Sequence, residues 1–233
     1  MIRNFVILLI LAGLAVIFIS LFGNHDSNSG LSPLAQHYAD RGAEEVGAAN
    51  LVTAVVVTYR GLDTLGEVTI LFLVAAIVSF FLKTNGKVKE EEKKRETSEI
   101  MLTASKLLLP IVILLGVYIF INGHLTPGGG FQGGAVLATA LVLVLMANPE
   151  FSLNHHIIAT IESISGIVFV AVGVLGLLLA GGFLDNRILP LGTLGELFSA
   201  GAIPVIYSFI GLKVGAELSN VLSRFQIIQK EEM

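Results

Sequence analysis

The 233-residue chain is 54% hydrophobic and only 14% charged, with a mean hydropathy of +0.84, a composition that excludes a soluble domain of this length. It contains no cysteine, which excludes disulfides, thiolate-held zinc and iron–sulfur clusters carried by this chain. The formal net charge of −4 averages over loops on two sides of a membrane and identifies no partner.

Six apolar runs approach or exceed the roughly 17 to 25 residues a helix needs to cross about 30 Å of hydrocarbon. They lie at 5–22, 65–82, 105–122, 132–147, 157–180 and 197–219, so the expected fold is an all-α membrane protein. The first run, Phe5 to Phe22, exceeds the roughly 7 to 15 residues of a signal-peptide core, and no small-x-small cleavage pattern follows. It predicts an uncleaved first membrane helix.

Before the second run stands NLVTAVVVTY, apolar but only ten residues long. As a helix it reaches about 15 Å, too short to cross. It is expected to lie at the interface or pack within a complex, before a break at Gly61. RGLDTLGEVTIL follows, and its TLGE recurs in LPLGTLGELFSAG before the sixth run. Thr-x-x-Glu ahead of an apolar run is the capping-box pattern, which predicts Thr64 and Thr193 as N-caps with Glu67 and Glu196 reaching back to them. A second reading, compatible with the first, has these acids and Asp63 lining a cation entry point.

After the second run, KTNGKVKEEEKKRETSE reads as a solvated helix or tether between a two-span and a four-span unit. Its Lys83, Lys87, Lys89, Lys93, Lys94 and Arg95 place it in the cytoplasm. Arg3, Arg224 and Lys230 fall on the same side, against only Arg41, Arg60 and Arg187 opposite. Both termini are therefore expected to be cytoplasmic.

Between spans three and four, NGHLTPGGGFQGG lacks the Gly-Lys-Ser/Thr ending of a phosphate loop. It reads either as a tight, closely packed turn or as irregular backbone offering carbonyls and His124 to an ion or proton. The adjacent histidines of NHHIIATIE point apart on a helix, which excludes the one-turn spacing of a helical zinc site. No metal or other cofactor is expected.

Three ionisable residues fall inside the last two spans: Glu162, Lys213 and Glu217. Intramembrane charges are costly and usually functional. Lys213 and Glu217, four apart, can pair, although the long Lys stem can also snorkel to the interface. Glu162 is short and has no partner nearby in sequence except His155 or His156. It is the preferred relay candidate and is expected to face the bundle interior or a neighbouring subunit, not lipid. Gly211 and Gly215 of GLKVG form a small-xxx-small pattern, a close helix contact.

The segments NGHLTPGGGFQGGAVLATALVL and LPLGTLGELFSAGAIPVIYSFIGLKVGAEL resemble the B-type component of Mrp multisubunit cation/proton antiporters over residues 100 to 222. They are equally similar to the matching component of membrane-bound hydrogenases and sulfur-reducing relatives. NLVTAVVVTYRGLDTLGE and the run after it resemble the C-terminal end of the A-type Mrp component, so residues 1–90 look like a different subunit fused to a B-like unit at 91–233.

The resemblance implies a non-catalytic membrane subunit of a respiratory complex that couples proton and cation movement. Its partners are other membrane subunits and the lipid bilayer, not nucleic acid, with Na+ and H+ as candidate transported ions. The alternatives are membership of a stand-alone antiporter and a purely structural spacer. A self-sufficient membrane enzyme is disfavoured, because no nucleophile–base or metal arrangement has suitable spacing.

Overall fold

The computed structural model describes residues 2–23, 30–82, 97–148, 151 and 153–232, and it is helical with no strand among those residues. Six helices are long and apolar enough to cross a membrane. They are α1 (Ile2–Gly23), α4 (Gly61–Phe81), α5 (Glu99–Ile121), α6 (Gly130–Ala147), α7 (His155–Leu179) and α8 (Ile203–Glu232). Two shorter helices, α2 (Pro33–Val46) and α3 (Leu51–Thr53), precede α4. Of the charged linker read from the sequence at 83–99, residues 83–96 lie outside the described residues, and its end, Ser98 and Glu99, caps and begins α5.

The chain divides into two compact units, Met1–Gln36 and His37–Met233. In the first, α1 carries apolar side chains exposed around its whole circumference, as a helix surrounded by lipid or by other subunits does. The second holds the core, in which α8 packs against α4, α5, α6 and α7.

Small residues make that packing possible. A Cβ at Gly134 of α6 would lie 2.7 Å from the Gly211 carbonyl of α8, so only glycine permits this approach. The Cβ position of Gly215, one turn on, is 3.4 Å from the Gly134 carbonyl. Two backbones at such separation gain dispersion and Cα–H···O contacts, which replace the hydrophobic driving force that lipid does not supply.

The helix starts differ from the expected ones. Asn50, Ser98 and Asn154 are the side-chain N-caps of α3, α5 and α7, each accepting from a first-turn N–H. NLVTAVVVTY packs within the protein: α3 continues through Ala54–Tyr59 as a π-helix with Thr53, Ala54 and Val57 buried.

The chain turns at Arg60, and α4 starts at Gly61, three residues before the expected cap. Thr64 is therefore inside the helix, and its hydroxyl donates to the Val56 carbonyl at 2.7 Å. Glu67 lies beyond the first turn and makes no capping box. The acid at the helix start is Asp63, paired with Arg60.

The second TLGE is not in a helix at all. Gly192 (φ +68°) and Gly195 (φ +94°) adopt left-handed conformations open to glycine, and they fold the segment into turns. The Glu196 N–H donates to the Thr193 carbonyl at 3.1 Å, and both side chains are exposed. The sixth span starts at Ile203 instead of 197, so neither Thr193 nor Glu196 caps it.

Candidate functional site

The helix directions place residues 61, 121, 130, 179 and 203 at one end of the bundle and 81, 99, 147 and 155 at the other. The first, the junction end, gathers the loops 47–60, 122–129 and 180–202. Asn50 fastens two of them together. Its backbone N–H donates to the His124 carbonyl at 3.0 Å, and its Nδ2 donates to the carbonyls of Gly123 and Thr126 at 2.9 and 3.0 Å. Thr53 Oγ1 donates to the Gly123 carbonyl at 2.6 Å and accepts from the Tyr207 hydroxyl at 3.0 Å.

Asn186 plays the matching part on the other side. It is fully buried, donates to the carbonyls of Val46 and Ala200 at 2.7 and 2.9 Å, and accepts from the Thr58 hydroxyl at 3.3 Å. Loops buried without such partners would strand costly polar groups.

His124 sits in this junction with no exposed surface. Burial pushes its imidazole below the ordinary value, offset in part by the carbonyls of Glu196, Ile121 and Leu197. Its Nε2 lies 3.4 Å from the Glu196 carbonyl, while Nδ1 has no hydrogen bond. Nearby, Tyr59 donates to Glu45 at 2.5 Å and stacks on Tyr38, its centroid 4.7 Å away. Asp63 and Glu67 are exposed on α4, where they line a pocket with Val55, Val56 and Arg60.

The intramembrane charges converge on α8. Lys213 is at the middle of its span, Ile203–Gln226, and does not snorkel: it is 8% exposed and Glu217 is 0% exposed. Lys213 Nζ lies 2.7 Å from Glu217 Oε1, one turn away. This is an ion pair without hydrogen-bond alignment, and Glu217 Oε2 has no hydrogen-bond partner. Phe72 of α4 presents its ring 5.0 Å from Nζ, a cation–π contact, and Gly166 of α7 leaves room for the Lys stem.

Glu162, one turn from Gly166 along α7, is half-buried and acts electrostatically on Glu217. The i,i+4 pair and Glu162 were visible in the sequence. Phe72, Asn50, Thr53, Asn186 and Tyr207 were not, because their roles depend on contacts between distant parts of the chain, up to 154 residues apart for Tyr207 and Thr53. A helix-starting Asn before LVTAVVV was the one available signal.

Residues 100–220 match the family model described as a domain related to the MnhB subunit of Na+/H+ antiporters. Residues 2–94 match the MbhE model, which describes the E-type component of MBH. An uncharacterized protein of Methanocaldococcus jannaschii is 33% identical over 198 residues, 73% of this chain and 74% of that one.

Among solved structures, a chain of the membrane-bound sulfane sulfur reductase, an archaeal respiratory membrane complex, aligns with a TM-score of 0.83 and 38% identity. The alignment covers 97% of this chain and 98% of that one. A chain of the Mrp complex from Dietzia sp. DQ12-45-1b shares the fold, with a TM-score of 0.77 and 20% identity. Here 95% of this chain covers 26% of the larger one.

Proposed function

The chain belongs to the family of domains related to the MnhB subunit of Na+/H+ antiporters, and we propose that it is a non-catalytic member of a cation/proton antiporter module within a respiratory membrane complex. The observation that carries this reading is the buried Lys213–Glu217 pair at mid-span, with Glu162 within electrostatic reach on α7. Charges at that depth cost several kcal/mol in lipid (about 2.5 to 3.5 on insertion scales) and face interiors or ion paths. The 38% identity across nearly the whole of a respiratory-complex chain supports the respiratory setting over a stand-alone antiporter.

In this reading the linker at 83–96 and both termini face the cytoplasm, and the junction end faces outward. Residues 1–90 and 91–233 correspond to two subunits joined in one chain. Cysteine labelling at Asn85 and at Thr193 should report opposite sides of the membrane.

The decisive experiment is Glu162→Gln and Glu217→Gln in the native complex. Glu162→Gln should assemble normally, Glu217→Gln should assemble at lower stability because Lys213 is left unpaired, and proton-coupled cation uptake per assembled complex should fall in both. Uptake at the wild-type level with normal assembly in both variants would leave a structural spacer as the answer.

A further inference from the structure

The α8 charges continue toward the linker end as a single polar stripe. Lys213, Glu217, Asn220 and Arg224 follow at i, i+4, i+7 and i+11, one face of a helix, spanning about 16 Å. Lys213 fixes which seam that face lines, because it lies against Phe72 of α4 and Gly166 of α7.

Two turns beyond Phe72, on the same face of α4, stands Ser79. One turn beyond Gly166 on α7, toward the linker end, stands Glu162, with His155 two turns further at the helix start. Three helices thus direct polar groups to one seam in the linker half of the bundle.

Several of these atoms are buried and have no hydrogen-bond partner among the described residues: Glu217 Oε2, Asn220 Oδ1, Arg224 Nε and Ser79 Oγ. Buried polar groups are nearly always bonded, to protein or to water, and one orphan would be an isolated exception. A row of them on a common seam is a line of sites that water satisfies.

On the other side of Lys213 the same region is apolar and closed. Val68, Phe169, Leu184, Ile206 and Ile210 are each at most 4% exposed and belong to one core cluster. The polar row is therefore shut on the junction side of Lys213 and runs only toward the linker end.

We propose that α4, α7 and α8 enclose a water-lined half-channel that rises from the linker end to Lys213–Glu217 and carries protons, not Na+. The lining chemistry selects the cargo. Lys213 and Arg224 place fixed positive charge at the head and near the mouth, which opposes a bare cation. Glu217 already faces the Lys213 ammonium at 2.7 Å, and the oxygens that remain on Glu162, Asn220 and Ser79 are too few to replace a hydration shell, whereas a proton moves along hydrogen-bonded water and exchanges with the Glu217 carboxylate. This inference rests on the antiporter-module reading above for its cargo alone.

The test uses the intact complex in sealed vesicles of known orientation, with Ser79→Cys, Asn220→Cys and Ile206→Cys made singly. The chain has no cysteine of its own, so modification by methanethiosulfonate ethylammonium can be assigned to this chain by mass spectrometry. Ser79→Cys and Asn220→Cys should react from the linker side only, and Ile206→Cys from neither side. Hydroxyl-radical footprinting of the wild-type complex needs no substitution and should oxidise segment 217–224 while sparing 203–210.

Unreactive thiols at 79 and 220, a reactive thiol at 206, or an unoxidised 217–224 segment would each overturn the half-channel. None of these results would touch the antiporter-module reading, which stands or falls on coupling in Glu217→Gln. For the cargo, Asn220→Leu should lower the uptake rate at unchanged KM for Na+. A raised KM or an unchanged rate would overturn the proton assignment.

Discussion

The two ends of the bundle use similar residues for opposite purposes. At the junction end, Asn50, Thr53 and Asn186 are buried or half-buried and bond every side-chain polar atom: they donate to backbone carbonyls of other segments and accept from the Val52 N–H and the hydroxyls of Thr58 and Tyr207. Along the linker half of α8, Asn220, Glu217 and Arg224 are buried or half-buried too, yet each keeps an atom without a partner. Bonded buried polar groups fasten, and unbonded ones are retained only where something else meets them. Under the half-channel proposal the difference separates a mechanical part of the molecule from a conducting one, with His124 Nδ1 and Ser199 Oγ as unbonded exceptions at the junction end.

The largest effect should come from the linker half. Lys213→Met leaves Glu217 buried and unpaired, which is expected to destabilise by about 3–5 kcal/mol. The double variant Lys213→Met/Glu217→Leu should regain most of that in a thermal-unfolding assay of the purified complex, yet remain defective in uptake. Failure of the double variant to regain stability would make the pair a fastening and erase the contrast between the two ends.

Asn186→Leu probes the opposite end. It strands the Val46 and Ala200 carbonyls, at about 1–3 kcal/mol for each. The yield of folded complex should fall while uptake per folded complex stays unchanged; a selective loss of uptake would show that the junction also conducts.

A smaller difference distinguishes the two TLGE copies. Thr64→Val removes the bond to the Val56 carbonyl and should cost about 1 kcal/mol. Thr193→Val, on an exposed turn, should stay within about 0.5 kcal/mol of wild type.

The slightest effect concerns His124. Its folded-state pKa lies below the ordinary 6.5, so the unfolded chain binds the proton more readily. Stability from this residue is complete above pH 6.5 and declines as pH drops below it. Unfolding midpoints measured against pH should show that acid decline, and His124→Gln should remove it.

The spans were legible because crossing a membrane demands long apolar runs, and no tertiary context changes that requirement. The capping assignments failed because a tetrapeptide does not carry its own conformation. At 64–67 the preceding Gly-Leu-Asp already follows the helix, so the threonine arrives a turn too late to cap it. At 193–196 flanking glycines turn the chain away from the helix before α8 can start.

Lys213 and Glu217 could be paired from their spacing, but not their depth of burial, since a Lys stem suits both a snorkelling and an interior position. The junction was the least visible part. Asn50 and Asn186 look like ordinary loop residues until the folded chain brings their carbonyl partners to them.

The junction also bears on how such a chain can change over generations. Val46, Gly123, Thr126 and Ala200 contribute only main-chain oxygens to the bonds that Asn50 and Asn186 make. A carbonyl is the same whichever residue supplies it, so these attachments do not require the two sides to mutate in step. Two ancestral genes meeting at such a seam could drift apart in sequence, be joined into one reading frame or be separated again, with two amide side chains keeping their products compatible.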